Sequence, residues 1–192
     1  MARSKEFEEA AVLEKAMKLF WEQGYEKTSL NDLVEHMGIH RRSLYDTFTD
    51  KHTLFLKALE RFEDRIGDRL TACVKRSRSA GEALRLVFGF IIHGEEDAPA
   101  GCMLVNSAAE LALRDAEVDA KAREAFASTE RLLAEIVVRG QESGEFTKRY
   151  DAAELAEYLH NALTGLRVMT RTTTAKEKLE RTAELTMRIL EP

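Results

Sequence analysis

Apolar residues recur three and four positions apart along almost the whole of this chain, a period that leaves room for little besides α-helix. Only two prolines interrupt it, Pro99 and Pro192, and neither falls inside a periodic stretch. Leu13, Met17 and Phe20 mark a first helix closed by Gly24. Ser29 and Asp32 form an S-x-x-D capping box for a short second helix carrying Leu30, Leu33 and Met37, stopped by Gly38. A third short helix follows on Ile39, Leu44 and Phe48. Asp50 caps a long fourth with the stripe Phe55, Leu59, Phe62, Ile66, Leu70 and Cys73. Leu84, Val87, Phe88, Ile91 and Ile92 line a fifth, and the segment HGEEDAPAG is a loop. A sixth helix is expected over Cys102–Leu113 and a seventh over Val118–Gln141. An eighth is capped by Asp151 with Glu154, and a ninth runs over Lys176–Leu190. With no strand, hairpin or internal-repeat signature, the expected fold is all-α, about nine helices.

Composition narrows the class. The chain has 192 residues, 44% hydrophobic and 33% charged, which suits a globular protein rather than a disordered one. No apolar run approaches the roughly 20 residues of a membrane span. Acidic residues stand where an export signal would be apolar, and the two cysteines, Cys73 and Cys102, make no disulfide framework. A cytoplasmic location without membrane association is expected. Enzyme signatures are missing: there is no H-E-x-x-H, Gly-rich phosphate loop or G-x-S-x-G. The single EYLH at Glu157–His160 lacks the second motif and further glutamates of a di-iron bundle. His93 beside Glu95, Glu96 and Asp97 reads as a solvated charge run. No catalytic residue, metal or cofactor is expected.

The stretch GIHRRSLYDTFTDK, Gly38 to Lys51, is the most informative. A short capped helix, a glycine turn and a second short helix make a helix-turn-helix pattern, whose second helix enters the major groove. Ile39, Leu44 and Phe48 face inward, which turns Arg41, Arg42, Ser43, Tyr45 and Thr47 partly or wholly outward. Arginine can take a guanine edge bidentately, and hydroxyls suit phosphate oxygens. Lys51 adds a positive charge in the first turn of the fourth helix. An ordinary solvated helix face is the competing reading of the same residues.

Thr28 to Leu54, TSLNDLVEHMGIHRRSLYDTFTDKHTL, resembles the DNA-binding domain of the tetracycline-repressor (TetR) family, and FWEQGY at Phe20–Tyr25 resembles the end of that family's first helix. The resemblance implies a DNA-binding domain over residues 1–50, with its helix-turn-helix at 29–48 and the start of the fourth helix, to residue 66, attached. It implies a helical regulatory and dimerisation domain over 51–192. It further implies that Thr28 and Ser29 touch phosphate, and that His40, Arg41, Arg42 and Ser43 face bases or nearby backbone. Tyr45 and Lys51 should reach phosphates, and Thr47 base or backbone. His40, Arg42, Asp46, Thr47, Val34 and Met37 depart from common family choices, which bears on base preference more than on fold.

The implied protein is a homodimeric regulator, by family habit a repressor, released from a palindromic double-stranded operator by a small hydrophobic or electrophilic effector. The different-class alternative is an all-α ligand-binding or scaffolding protein without DNA contact. Charge opposes strong DNA binding: residues 1–51 hold eight Lys and Arg against ten Asp and Glu, and the chain carries −5. Weak non-specific affinity is therefore expected. Leu155, Leu159, Ala162, Leu163 and Leu166 are the candidate dimer surface, or else monomer core. Phe62, Phe88, Met103, Phe126 and Met169 are candidate pocket walls, or else plain core. His93, Asn106 and Glu110 are the polar residues placed to orient a ligand. Cys102 near a helix N-terminus is either a reactive thiol or a buried small apolar residue.

Overall fold

The structure, a computed structural model, describes the backbone of residues 2–192 and the side chains from Glu9 onward; residue 1 of the expected first domain lies outside it. Nine α-helices and one 3₁₀ turn account for the described residues, with no strand among them: α1 Ala2–Gln23, α2 Leu30–Met37, α3 Arg41–Phe48, α4 Lys51–Arg76, α5 Ala80–His93, α6 Met103–Leu111, α7 Ala116–Ser143, α8 Ala152–Met169, α9 Lys176–Met187, and the 3₁₀ turn Arg188–Leu190. No helix of the described residues is long and apolar enough to cross a membrane.

Two compact units form. The first joins Met1–Arg65 to Cys102–Ala122; the second joins Ile66–Gly101 to Arg123–Pro192. The division passes through α4 after Arg65, so the start of α4 goes with the N-terminal helices, and α6 keeps company with them. The reason is local packing. Phe20 and Phe55 meet edge to face at 5.0 Å, Tyr25 lies 4.8 Å from Phe55, and Trp21 meets Phe62 at 4.8 Å. The start of α4 thus completes the core that α1 begins, burying large rings in geometries worth up to about 1 kcal/mol beyond their area.

Glu110 ties α6 into the same unit. Its carboxylate accepts from the backbone amides of Tyr25, at 3.0 Å, and Glu26, at 2.8 Å. Gly24, at φ +85°, lies so close that a Cβ there would stand 2.8 Å from Glu110 Oε2. α6 ends two residues before the expected Leu113, which is fully exposed. The break frees Asp115 to accept from the amides of Glu117 and Val118, both at 3.1 Å, and so to start α7.

The second unit buries Leu70, Leu84, Val87, Leu133, Ile136, Leu155, Leu159, Leu163, Leu166 and Leu179 in one cluster. Glu145 reaches back to the start of α5 and accepts from the amides of Ala80 and Gly81, at 3.2 and 3.1 Å. Those amide bonds, the Gly81 one foremost, hold its carboxyl at about 2. Asp151 and Glu154 form the predicted capping box of α8. α9 stops at Met187 and tightens into the 3₁₀ turn, whose Leu190 carbonyl accepts from the amide of Thr147 at 2.8 Å.

Candidate nucleic-acid interface

The reading helix is positioned from both ends. Ser29 and Asp32 complete their reciprocal cap on α2, at 3.1 and 2.8 Å, and Gly38 takes the left-handed conformation, φ 71° and ψ 35°, that ends it. Lys15 of α1 donates to the Met37 carbonyl at 3.3 Å, fixing the turn to the domain. α3 then starts at His40, an N-cap whose side chain makes no capping bond. Leu44 and Phe48, 0% and 1% exposed, anchor its inner face. Thr49 adopts φ 68° and Asp50 accepts from the Thr53 amide at 2.7 Å, so α4 begins at once.

His40, Arg41, Arg42, Ser43 and Tyr45 are all exposed on the outer face, and Thr47 is half-buried. Arg41 lies 5.9 Å from the Tyr45 ring, and Arg42 pairs loosely with Asp46 at 3.6 Å, both ends in solvent. Such contacts are weak enough to be exchanged for phosphate or a base edge. Ser29 is exposed and keeps a hydroxyl proton to give while its oxygen caps α2.

Two residues implied to touch phosphate are not freely exposed. Thr28 is fully buried and donates to the Gly24 carbonyl at 2.6 Å, so its hydroxyl braces the α1–α2 turn and faces no solvent. Lys51 is half-buried, its ammonium 4.1 Å from the Tyr25 ring centre, and burial lowers its pKa.

The residues considered for ligand contact divide between the units: Phe62, Cys102, Met103, Asn106 and Glu110 in the first, Phe88, His93, Phe126 and Met169 in the second. Glu110 is occupied by backbone amides, as described, and is not available to orient a ligand. His93 faces outward and pairs with Glu180 at 3.2 Å. Cys102 is the buried N-cap of α6, its thiol making no capping bond, and packs as a small apolar residue. Phe62 and Phe88 are core. The Asn106 amide nitrogen is buried without a partner.

The dimer candidates differ in exposure. Leu155, Leu159, Leu163 and Leu166 are covered within the single chain, so their apolar area is already spent. Only Ala162 of that set keeps some exposure, while Tyr158, Gly165 and Val168 occupy the outer side of α8.

His52 Nε2 meets Asp115 Oδ2 at 2.7 Å and its Nδ1 lies 3.8 Å from Glu117. This trio has the donor types for a divalent cation. Burial raises the Asp115 pKa, but amide bonds and His52 outweigh it and leave it lowered, and the hydrogen bond to His52 with the α7 cap accounts for the arrangement. Sequence reasoning met His160 only in the discarded EYLH motif and passed over Thr164 and Arg167, which with it form three polar residues at helical spacing beside the leucines of α8; that interruption was the available signal.

A capped short helix, a left-handed glycine turn and a second helix anchored by two buried side chains define a helix-turn-helix protein of the DNA-binding class. Residues 12–58 match the family model described as bacterial regulatory proteins, tetR family, and residues 82–186 match that of the tetracyclin repressor-like C-terminal domain. The chain belongs to the TetR family of transcriptional regulators, and it is not an enzyme. It is 35% identical over 190 residues to the HTH-type transcriptional repressor ComR of Escherichia coli (strain K12), covering 97% of this chain and 90% of that one. Among solved structures it is similar to a cysteine-substituted form of the TetR family transcriptional regulator CifR complexed with 26 bp double-strand operator DNA, at 28% identity and TM-score 0.80, covering 94% of this chain and 95% of that one. It shares its fold with a TetR-family regulator from Cytophaga hutchinsonii, at 22% identity and TM-score 0.88, covering 100% of this chain and 98% of that one.

Proposed function

We propose that the chain is a homodimeric repressor whose two copies of α3 read a palindromic operator, and that a small molecule bound in the second unit releases it. The observation that carries this reading is the two-sided character of α3: Leu44 and Phe48 are buried while Arg41, Arg42, Ser43 and Tyr45 stand in solvent with only weak partners. The operator complex of CifR and the repressor ComR, both similar to this chain, support the partner and the direction of control.

One recognition helix reads too few base pairs for specificity, so a second copy about 34–36 Å away along the duplex is required. The outer side of α8, with Tyr158, Ala162, Gly165 and Val168, and the exposed Leu185 of α9 are the surface we assign to that pairing. Release is a population shift between two dimer spacings, biased by a ligand that binds one of them better. α4 begins immediately after α3 and continues into the second unit, which makes it the connecting element. Burial of Cys102 favours a bound ligand over thiol modification as the trigger; a Cys102→Ser chain released normally by electrophiles would remove the thiol route altogether.

The test is selection of bound duplexes from a random pool, in parallel with an Arg41→Ala, Tyr45→Ala chain. A palindrome with half-sites about one helical turn apart, lost in the variant, is the expected result. No enrichment by a well-folded dimer at low salt would sink the operator reading.

A further inference from the structure

We infer that the side of α8 facing α7 binds a small organic carboxylate that also carries a hydroxyl, with Arg167 taking the carboxylate and His160 and Thr164 orienting it. The inference rests on the second unit being a ligand-binding body, and names the chemistry of what it binds. His160, Thr164 and Arg167 stand four and three residues apart, one stripe of one helix. His160 and Arg167 are 7% and 5% exposed, an unusual depth for both residue types without full partnering.

Two of the three carry a buried polar atom without a partner. His160 Nδ1 meets Glu130 of α7 at 3.1 Å, which places the ring proton on that nitrogen and leaves Nε2 as an acceptor, buried and without a partner. Burial lowers the His160 pKa, Glu130 opposes that, and the Arg167 charge adds to the depression, so the neutral ring dominates near pH 7. A neutral Nε2 calls for a donor, which a ligand hydroxyl provides.

Thr164 Oγ1 is likewise buried and unpartnered. Threonines inside helices ordinarily satisfy themselves on the carbonyl four residues back. Thr129, Thr182 and Thr186 of this chain do so, at 3.0, 3.0 and 2.8 Å. Thr164 does not, and its hydroxyl is left to donate to something else. Arg167 is 5% exposed and permanently charged, and no ion pair is found for it among the described residues. Glu130, the carboxylate of this cluster, is engaged by His160, so a ligand carboxylate would be the geometric complement of the guanidinium. Phe126 supplies an apolar wall, its ring 5.4 Å from that of His160.

The experiment is thermal shift and calorimetric titration of the full chain with 3- and 4-hydroxybenzoate, against benzoate and the matching hydroxybenzamides. The same samples are scored for operator binding. Hydroxybenzoate should bind the wild type about tenfold or more tighter than the amide, and Arg167→Met should abolish that preference. Thr164→Val should weaken the acid without restoring the amide. Without ligand, both variants should melt at or above the wild-type temperature, whereas residues serving structure alone would melt lower. Equal binding of acid and amide, an Arg167→Met chain that binds like wild type, or no binding of any hydroxybenzoate at millimolar concentration overturns the proposal. Failure of operator binding by a chain that still takes the carboxylate would instead overturn the DNA reading alone.

Discussion

Thr28 and Arg41 lie thirteen positions apart in the same short domain, yet they belong to opposite accounts. Thr28→Val removes a buried donor from the Gly24 carbonyl and should cost about 1–2 kcal/mol in urea unfolding. Arg41→Ala should leave stability within about 0.5 kcal/mol while weakening operator binding. Equal stability losses in the two would reverse their assignment. Gly24→Ala tests a third kind of residue. Positive φ and the Glu110 carboxylate both oppose a Cβ there, so denaturation should register a loss of about 1–3 kcal/mol. The outward set on α3 was legible from the sequence because Leu44 and Phe48 dictate which side faces in. Thr28 was not, because a residue beside an N-cap can turn its hydroxyl either to solvent or to the preceding turn. Only the position of Gly24 decides.

Helix ends carry the next set of consequences. Glu145 caps α5 from a distant turn, and its folded pKa of about 2 lies below the ordinary carboxylate value of 4.5. A depressed folded pKa means stability fully present above 4.5 and lost as pH falls toward 2. Solvent screening of this largely accessible carboxyl limits the effect to about 1–2 kcal/mol. The wild-type melting temperature should therefore fall between pH 5 and pH 3 more steeply than that of Glu145→Gln; parallel curves would count against the cap. Helix existence was readable throughout, since the apolar period survives in every element. Ends were readable where a local box marks them, as at Ser29 and Asp151, and misplaced where no box does, as at Leu111. The leucines of α8 illustrate the same boundary: their spacing reveals a stripe, but a stripe suits monomer core and dimer seam equally. The side that is covered depends on α5 and α9, which pack against α8 from elsewhere in the chain.

The whole chain carries −5, and its positive charge at the reading surface is confined to a few side chains. With Lys51 held on Tyr25, the two copies of the proposed dimer would offer chiefly four arginines, so operator affinity should fall with salt on a log–log slope of magnitude about 4. A slope near 10, measured by fluorescence anisotropy across salt concentrations, would require phosphate contacts outside α3. Val168→Asp should produce monomers in ultracentrifugation and lower operator affinity by a hundredfold or more, on the order of 3 kcal/mol; an unchanged dimer would move the seam off α8. The Glu110 clasp on Tyr25 and Glu26 has a different kind of consequence. Transplanting the reading head onto another sensory body is a matter of cutting the chain, and here the natural cut after the first four helices would strip two amides of their acceptor and leave the aromatic cluster without its α6 neighbour. A working chimera has to carry residues 102–122 along with residues 1–65. The exchangeable part in this protein is therefore two separate stretches of gene, inherited together or not at all.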